Sequence, residues 1–97
     1  MKVQSIINNK GKAIPNQVTI NDCFIEIDFI TGTATLQGNM FVSYNTNIAF
    51  ITVTGDVFLD EKWDYSKTTG KYRNRFLNET KKDTERRIKD GVYLVVI

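Results

Sequence analysis

The chain has no histidine, one cysteine and one proline among its 97 residues. Without histidine, and with Cys23 alone, the common zinc ligand sets and every Ser-His or Cys-His nucleophile arrangement are excluded. A lone cysteine forms no internal disulfide, which suits a reducing compartment, and Cys23 reads as a small buried hydrophobe. No apolar run approaches the roughly 20 residues of a membrane span. The opening Met-Lys-Val-Gln-Ser-Ile-Ile-Asn-Asn lacks the apolar stretch of a signal peptide. Thr69-Gly70-Lys71 holds one glycine and lacks the spacing of a phosphate-binding loop. Glu26 and Asp28 sit two apart on the solvent face of a strand, and Asp56, Asp60 and Glu61 flank turns, so all five read as solubilising groups. No catalytic residue, metal site or cofactor is expected, and the chain reads as non-enzymatic.

What is present is ordinary in amount and uneven in placement. Apolar content of 41% and charge of 25% fit a globular protein, and the length suits a single domain over 1–97. Residues 1–61 carry three basic and six acidic side chains, while residues 62–97 carry ten basic and five acidic ones. Net charges of −3 and +5 follow. Such an asymmetry points either to an anionic partner for the C-terminal third or to attraction between the two halves of the fold.

The first two-thirds reads as strands and turns. Lys2–Asn8 predicts a strand closed by Asn9-Lys10-Gly11-Lys12. Pro15 lacks an N–H, so the second strand is expected to begin beyond it, near Gln17. Asn21-Asp22 breaks the run. Ile25, Ile27 and Phe29 then alternate with Glu26 and Asp28, a period of two that marks a half-buried strand. Thr31-Gly32 and Gly38-Asn39 predict turns around a strand at 33–36. Met40–Tyr44, Ile48–Val53 and Val57–Leu59 complete the series. An antiparallel meander or small curled barrel of five to seven short strands is expected.

After Asp60 the period changes. Ser66 predicts a helix N-cap, and Thr68, Tyr72 and Phe76 recur at four-residue spacing on the face expected to dock on the sheet. The packed helix is placed at about 66–77. Gly70 is unfavourable inside it, so either it serves close backbone approach or 66–70 is loop and the helix starts near Lys71. Thr80 with Asp83 predicts a capping box for a second, polar helix at about 80–90, supported by Asp83–Arg87 and Glu85–Lys89 pairs. Gly91 fits the left-handed position past its end, and Val92–Val96 reads as a final strand. The class is therefore α+β.

Lys67, Lys71 and Arg75 stand at i, i+4 and i+8, which lines three cations along one helix face. These three are the expected phosphate contacts, with Arg73 and Arg86 auxiliary. The alternative is a solvated helix face. Trp63, Tyr65, Tyr72 and Phe76 read as core aromatics rather than base-stacking groups, and Tyr44 fits either role.

Several stretches resemble a group of small proteins from tailed phages and other mobile elements of gut and dairy bacteria, a domain of unknown function. Asn16-Gln17-Val18-Thr19-Ile20 is similar to its Asn-Gln-Phe-x-Ile strand. Phe41 to Ala49 is similar to its Phe-Gln-Ser-Tyr-x-Ser/Thr-x-Ile-Ala, with Val42 in place of Gln. Trp63-Asp64-Tyr65-Ser66-Lys67-Thr68-Thr69-Gly70-Lys71-Tyr72-Arg73-Asn74, with Phe76-Leu77, resembles its most distinctive signature. Thr84–Ile88 and Lys89-Asp90-Gly91-Val92-Tyr93 resemble its Thr-x-x-x-Ile-x-Ser-Gly-x-Tyr ending. Asp22–Asn39 is longer than in that group and reads as an added hairpin. The resemblance implies a phage or mobile-element origin and a place in the cytoplasm of the bacterial host, and it implies no catalytic site.

Three functions remain open from these residues. The first is an accessory protein that binds nucleic acid through the basic 62–87 region. The second is a protein-interaction module, either an inhibitor of a host protein or a minor virion component, for which a homo-oligomer is one form. The third is sequestration of a nucleotide signal, which requires a deep pocket. No membrane partner is expected.

Overall fold

The computed structural model describes residues 1–97. Its elements are β1 (Lys2–Ile7), β2 (Ala13–Phe29), β3 (Gly32–Ser43), β4 (Thr46–Thr52), β5 (Val57–Leu59), α1 (Lys67–Leu77), α2 (Lys81–Lys89) and β6 (Leu94–Val95). The strands form one open, mixed sheet in the order β1-β2-β3-β4-β5-β6. The first five make the expected antiparallel meander, and β6 returns to lie parallel beside β5. The α+β class holds, with the barrel alternative excluded by free edges at β1 and β6. No helix is long and apolar enough to cross a membrane.

Two expected breaks turn out to lie inside long strands. Asn21-Asp22 is a bulge in the 17-residue β2, where the register shifts between Ile20 and Cys23 and Asp22 takes φ 53°. The backbone N–H freed there donates to Asn39 Oδ1 at 2.9 Å, so the bulge leaves no orphaned donor. Gly38 lies mid-strand rather than in a turn. A Cβ at that position would fall 2.0 Å from the Ile51 carbonyl oxygen, so glycine is required by the close approach of β4. Pro15 also lies within β2, at the register irregularity opposite β1, where no ladder bond needs its missing N–H.

The distal half of the β2–β3 hairpin extends past the end of β1 and coils back across the sheet. Phe29 meets Phe58 of β5 edge to face, with ring centroids 6.4 Å apart. Cys23, Ile27, Met40, Phe50 and Phe58 are thereby buried together, and Cys23 is the small core hydrophobe its composition suggests. On the opposite face Ile6, Phe41, Ala49, Val57 and Leu59 meet the helices, and Phe41 stacks on Phe76 of α1 at 5.8 Å. Each sheet face thus has its own cover.

Both helix starts follow local chemistry. Ser66 Oγ accepts from the Thr69 amide, and Thr80 and Asp83 form the reciprocal capping box. Gly70 is helical, which excludes a loop at 66–70 with the helix starting near Lys71. The buried positions of α1 are Thr69, Gly70, Tyr72 and Arg73, so the docking stripe is rotated from the Thr68-Tyr72-Phe76 expectation. Thr69 Oγ1 reaches Ser43 Oγ on β3 at 2.8 Å, a polar contact that draws Thr69 inward. On α2 the pairs Asp83–Arg87 and Glu85–Lys89 do not form. Arg86 instead pairs with Asp83 at 3.0 Å, and Arg87 pairs with Glu79. Glu79, its side chain 5% exposed, also accepts from Thr84 Oγ1 and from Tyr93 Oη, each at 2.5 Å. This carboxylate fastens α2 to the chain that leads into β6.

Burial, together with the hydrogen bond to Glu79 and its charge, pushes the Tyr93 phenol up to about 12. The folded state therefore favours the neutral phenol over the unfolded value of about 10. Its contribution is complete below pH 10 and is lost as pH rises through about 12. Unfolding monitored by circular dichroism should show stability falling over that window. Tyr93→Phe should flatten that part of the profile while lowering stability near neutrality by about 1 kcal/mol.

Candidate anion-binding site

The segment between β5 and α1 is organised by one buried cation. Arg73 on α1 is fully buried, and its Nη1 donates to the Trp63 carbonyl at 2.7 Å and to Asp64 Oδ1 at 3.2 Å. Its Nη2 donates to Asn74 Oδ1 at 2.8 Å, and its guanidinium lies 5.0 Å from the centre of the Trp63 ring. Fork geometry, permanent charge and a flat face that tolerates an aromatic neighbour make arginine the residue for such a place. Its Nε finds no partner in the protein. Arg73 is thus a structural arginine, which corrects its assignment as an auxiliary phosphate contact.

Asp64 is shared. Its other oxygen, Oδ2, lies 2.6 Å from Lys81 Nζ at the start of α2. Partial burial pushes the Asp64 carboxyl up, but the hydrogen bonds and charges of Lys81 and Arg73 outweigh it and hold the group below its usual range. Asp64 raises the Lys81 ammonium in return. Both partners are charged at neutral pH.

Around this pair opens a broad cleft of about 600 Å³ with no hydrophobic side chain in its walls. Lys67, Lys71, Arg73 and Lys81 contribute four positive charges and Asp64 one negative, a net +3. Ser66 and Asn74 add neutral polar groups. Gly70 stands over Asp64 and Arg73, where a Cβ would meet Asp64 Oδ1 at 3.6 Å and the two Nη atoms at 3.7 Å. Those are ordinary contacts, so the bare backbone is not forced by close approach.

The helix places the expected row as the spacing implies. Lys67, Lys71 and Arg75 are all exposed, about 6 Å apart along the α1 axis per step. Lys71 also borders a second depression with Arg75 and the Asn8-Asn9 turn. Arg75 Nη1 donates to the Ile7 carbonyl at 2.8 Å, which tethers its head beside β1. Arg86 does not join the row: it pairs with Asp83 and borders a separate depression with Trp63, Glu85, Ile88 and Lys89. Lys81 belongs to the cleft and was missed, because a lysine opening the second helix carries no periodic link to cations on the first. Trp63 is half-buried, and Tyr72 and Phe76 join the core. Tyr65 departs from the core expectation, being 63% exposed.

All four ion pairs of the molecule lie within residues 64–87. None joins the basic third to the acidic remainder, and none engages Lys67, Lys71 or Arg75. Attraction between the two halves therefore does not account for the row.

Arg73→Met should cost about 3 kcal/mol in chemical denaturation, because it leaves the Trp63 carbonyl and half of Asp64 without their donor. Arg73→Lys should recover only part of that loss, since one ammonium cannot span the three acceptors.

No curated protein and no solved structure matches the chain. The model of a family of unknown function, DUF8033, matches residues 1–91, and the chain belongs to that family.

Proposed function

We propose that this chain is a non-enzymatic accessory protein of a phage or mobile element, acting in the bacterial cytoplasm by binding the phosphate backbone of nucleic acid. Lys67, Lys71 and Lys81 are the principal contacts, with Arg75 continuing the track toward β1. The observation that carries this reading is the row of exposed α1 cations without acidic partners, bordering a cleft of net charge +3. Lysine suits a flexible ionic contact with successive phosphates, and release of condensed counterions drives the association.

The breadth of the cleft favours a polymer over a free nucleotide. An enclosed pocket would be expected for nucleotide sequestration, because small ligands are held with most of their surface buried. Protein association is a second reading, favoured by the tip of the coiled hairpin, where Ile30 is wholly exposed.

Fluorescence anisotropy with labelled nucleic acid across a salt series tests the proposal. Binding should weaken steeply with salt, and Lys67→Ala or Lys71→Ala should each lower the log–log slope by about 0.7–0.9. Reversal of Lys67, Lys71 and Arg75 together to Glu should abolish binding while circular dichroism remains native. Absence of binding at low salt, or binding indifferent to the triple reversal, would reject the assignment and turn attention to Ile30→Asp and capture of a protein partner.

A further inference from the structure

Tyr44 occupies a backbone conformation that tyrosine rarely adopts. Ser43 pairs with Thr46 across the β3–β4 hairpin, so Tyr44 and Asn45 are the two central residues of its turn. Their φ angles are 50° and 64°, which identifies a type I′ turn with both residues left-handed. Asn45 suits that requirement. A bulky side chain at the first position does not, and Asn or Gly would hold the turn without strain.

The ring gains little from the core in exchange. Tyr44 is 44% exposed, and it meets Tyr65 edge to face at 6.5 Å. Lys62 Nζ lies 5.8 Å from the centre of the Tyr65 ring. Behind the two rings is a recess of about 170 Å³ bounded by Ser43, Thr46 and Ile48. Two exposed aromatic rings beside a lysine, one of them held at a backbone cost, are a combination the fold does not need.

Their position gives them a use. Tyr65 directly precedes Ser66, the cap of α1, and Ser43 of the recess bonds Thr69 in the first turn of that helix. The rings therefore stand at the end of the helix whose outer face carries Lys67, Lys71 and Arg75. A backbone that follows those cations brings its next nucleotide to the tyrosines. In a duplex the base faces are occupied by their neighbours, whereas a single strand offers them freely.

We infer that Tyr44 and Tyr65 form a base-stacking subsite, and that the nucleic acid held by this protein is single-stranded. The inference rests on the proposed phosphate-binding face and adds to it the selection of strand type. Lys62 supplies a further phosphate contact beside the stacked base.

Full-length protein titrated with three probes at one salt concentration separates the two claims. The probes are a labelled oligothymidylate, an abasic deoxyribose-phosphate strand of equal length, and the matching duplex. Oligothymidylate should bind about tenfold or more tighter than the abasic strand, the difference expected of one stacked base. Tyr65→Ala and Tyr44→Asn should each remove most of that difference and leave abasic binding unchanged. Tyr44→Asn should at the same time raise Tm by about 4–8 °C, since it relieves the turn, which excludes misfolding as the cause of lost affinity. Lys67→Ala should weaken oligothymidylate and abasic strands alike. Equal binding of oligothymidylate and the abasic strand, tighter binding of the duplex, or tyrosine variants with unaltered affinity would overturn the stacking subsite and leave the cationic face standing. Failure of all three probes to bind would overturn both.

Discussion

The burial of the Arg73 guanidinium is the constraint on which the C-terminal third depends. A permanent charge in a protein interior is tolerated only when acceptors surround it, and here they come from Trp63, Asp64 and Asn74. Meeting that need pins the lead-in from β5 against α1. It also aims Asp64 so that its remaining oxygen takes Lys81, which brings the start of α2 to the same point. Two helices and the segment before them thus converge on one ion pair. The polar cleft is the outer surface of that convergence, and its cations surround a carboxylate already engaged from within.

The sheet solves a different problem with apolar surface. A sheet covered by helices on one side only would leave Met40, Phe50 and Phe58 in water. The long β2–β3 hairpin covers them by coiling back across β4 and β5, so that Phe29 reaches Phe58. Strong coiling accompanies bulges, and the register shift after Ile20 lies at the base of the extended half. Close packing of β4 at Gly38 holds the strands at the same level. The other face is then free to receive α1, whose orientation follows from Tyr72 and Phe76 entering the core and from the Thr69–Ser43 bond.

No ion pair joins these two halves. Ion pairs are confined to the segment from Asp64 to Arg87, and the exposed row on α1 is left with no acid to answer it. Arg75, tethered to the Ile7 carbonyl, extends the row to the edge of the sheet. At the other end stand Tyr44 and Tyr65. The proposed single-strand contact would draw on both surfaces, the cations for phosphates and the rings for bases.

Features whose cause lies within a few residues were legible in the sequence. The caps at Ser66 and Thr80 are satisfied by amides three positions on. The alternation from Ile25 to Phe29 and the row Lys67-Lys71-Arg75 follow from strand and helix periods alone. Features whose cause lies far along the chain were not. Asn21-Asp22 and Gly38-Asn39 carry turn chemistry, yet the Asp22 amide donating to Asn39 and the approach of Ile51 keep both pairs inside strands. Arg73 reads as one more surface cation until Trp63 and Asp64 close around it, and Tyr65 reads as core until its lead-in turns outward. Lys81 joins the cleft only because Asp64 bridges the helices. By itself the sequence determined the two helices, their caps, the strand period and the spacing of charge, because local hydrogen bonds and periodicity are short-ranged. Only the tertiary structure decided which charges are buried, which remain free and which aromatic rings face water, because desolvation depends on neighbours brought together from distant parts of the chain.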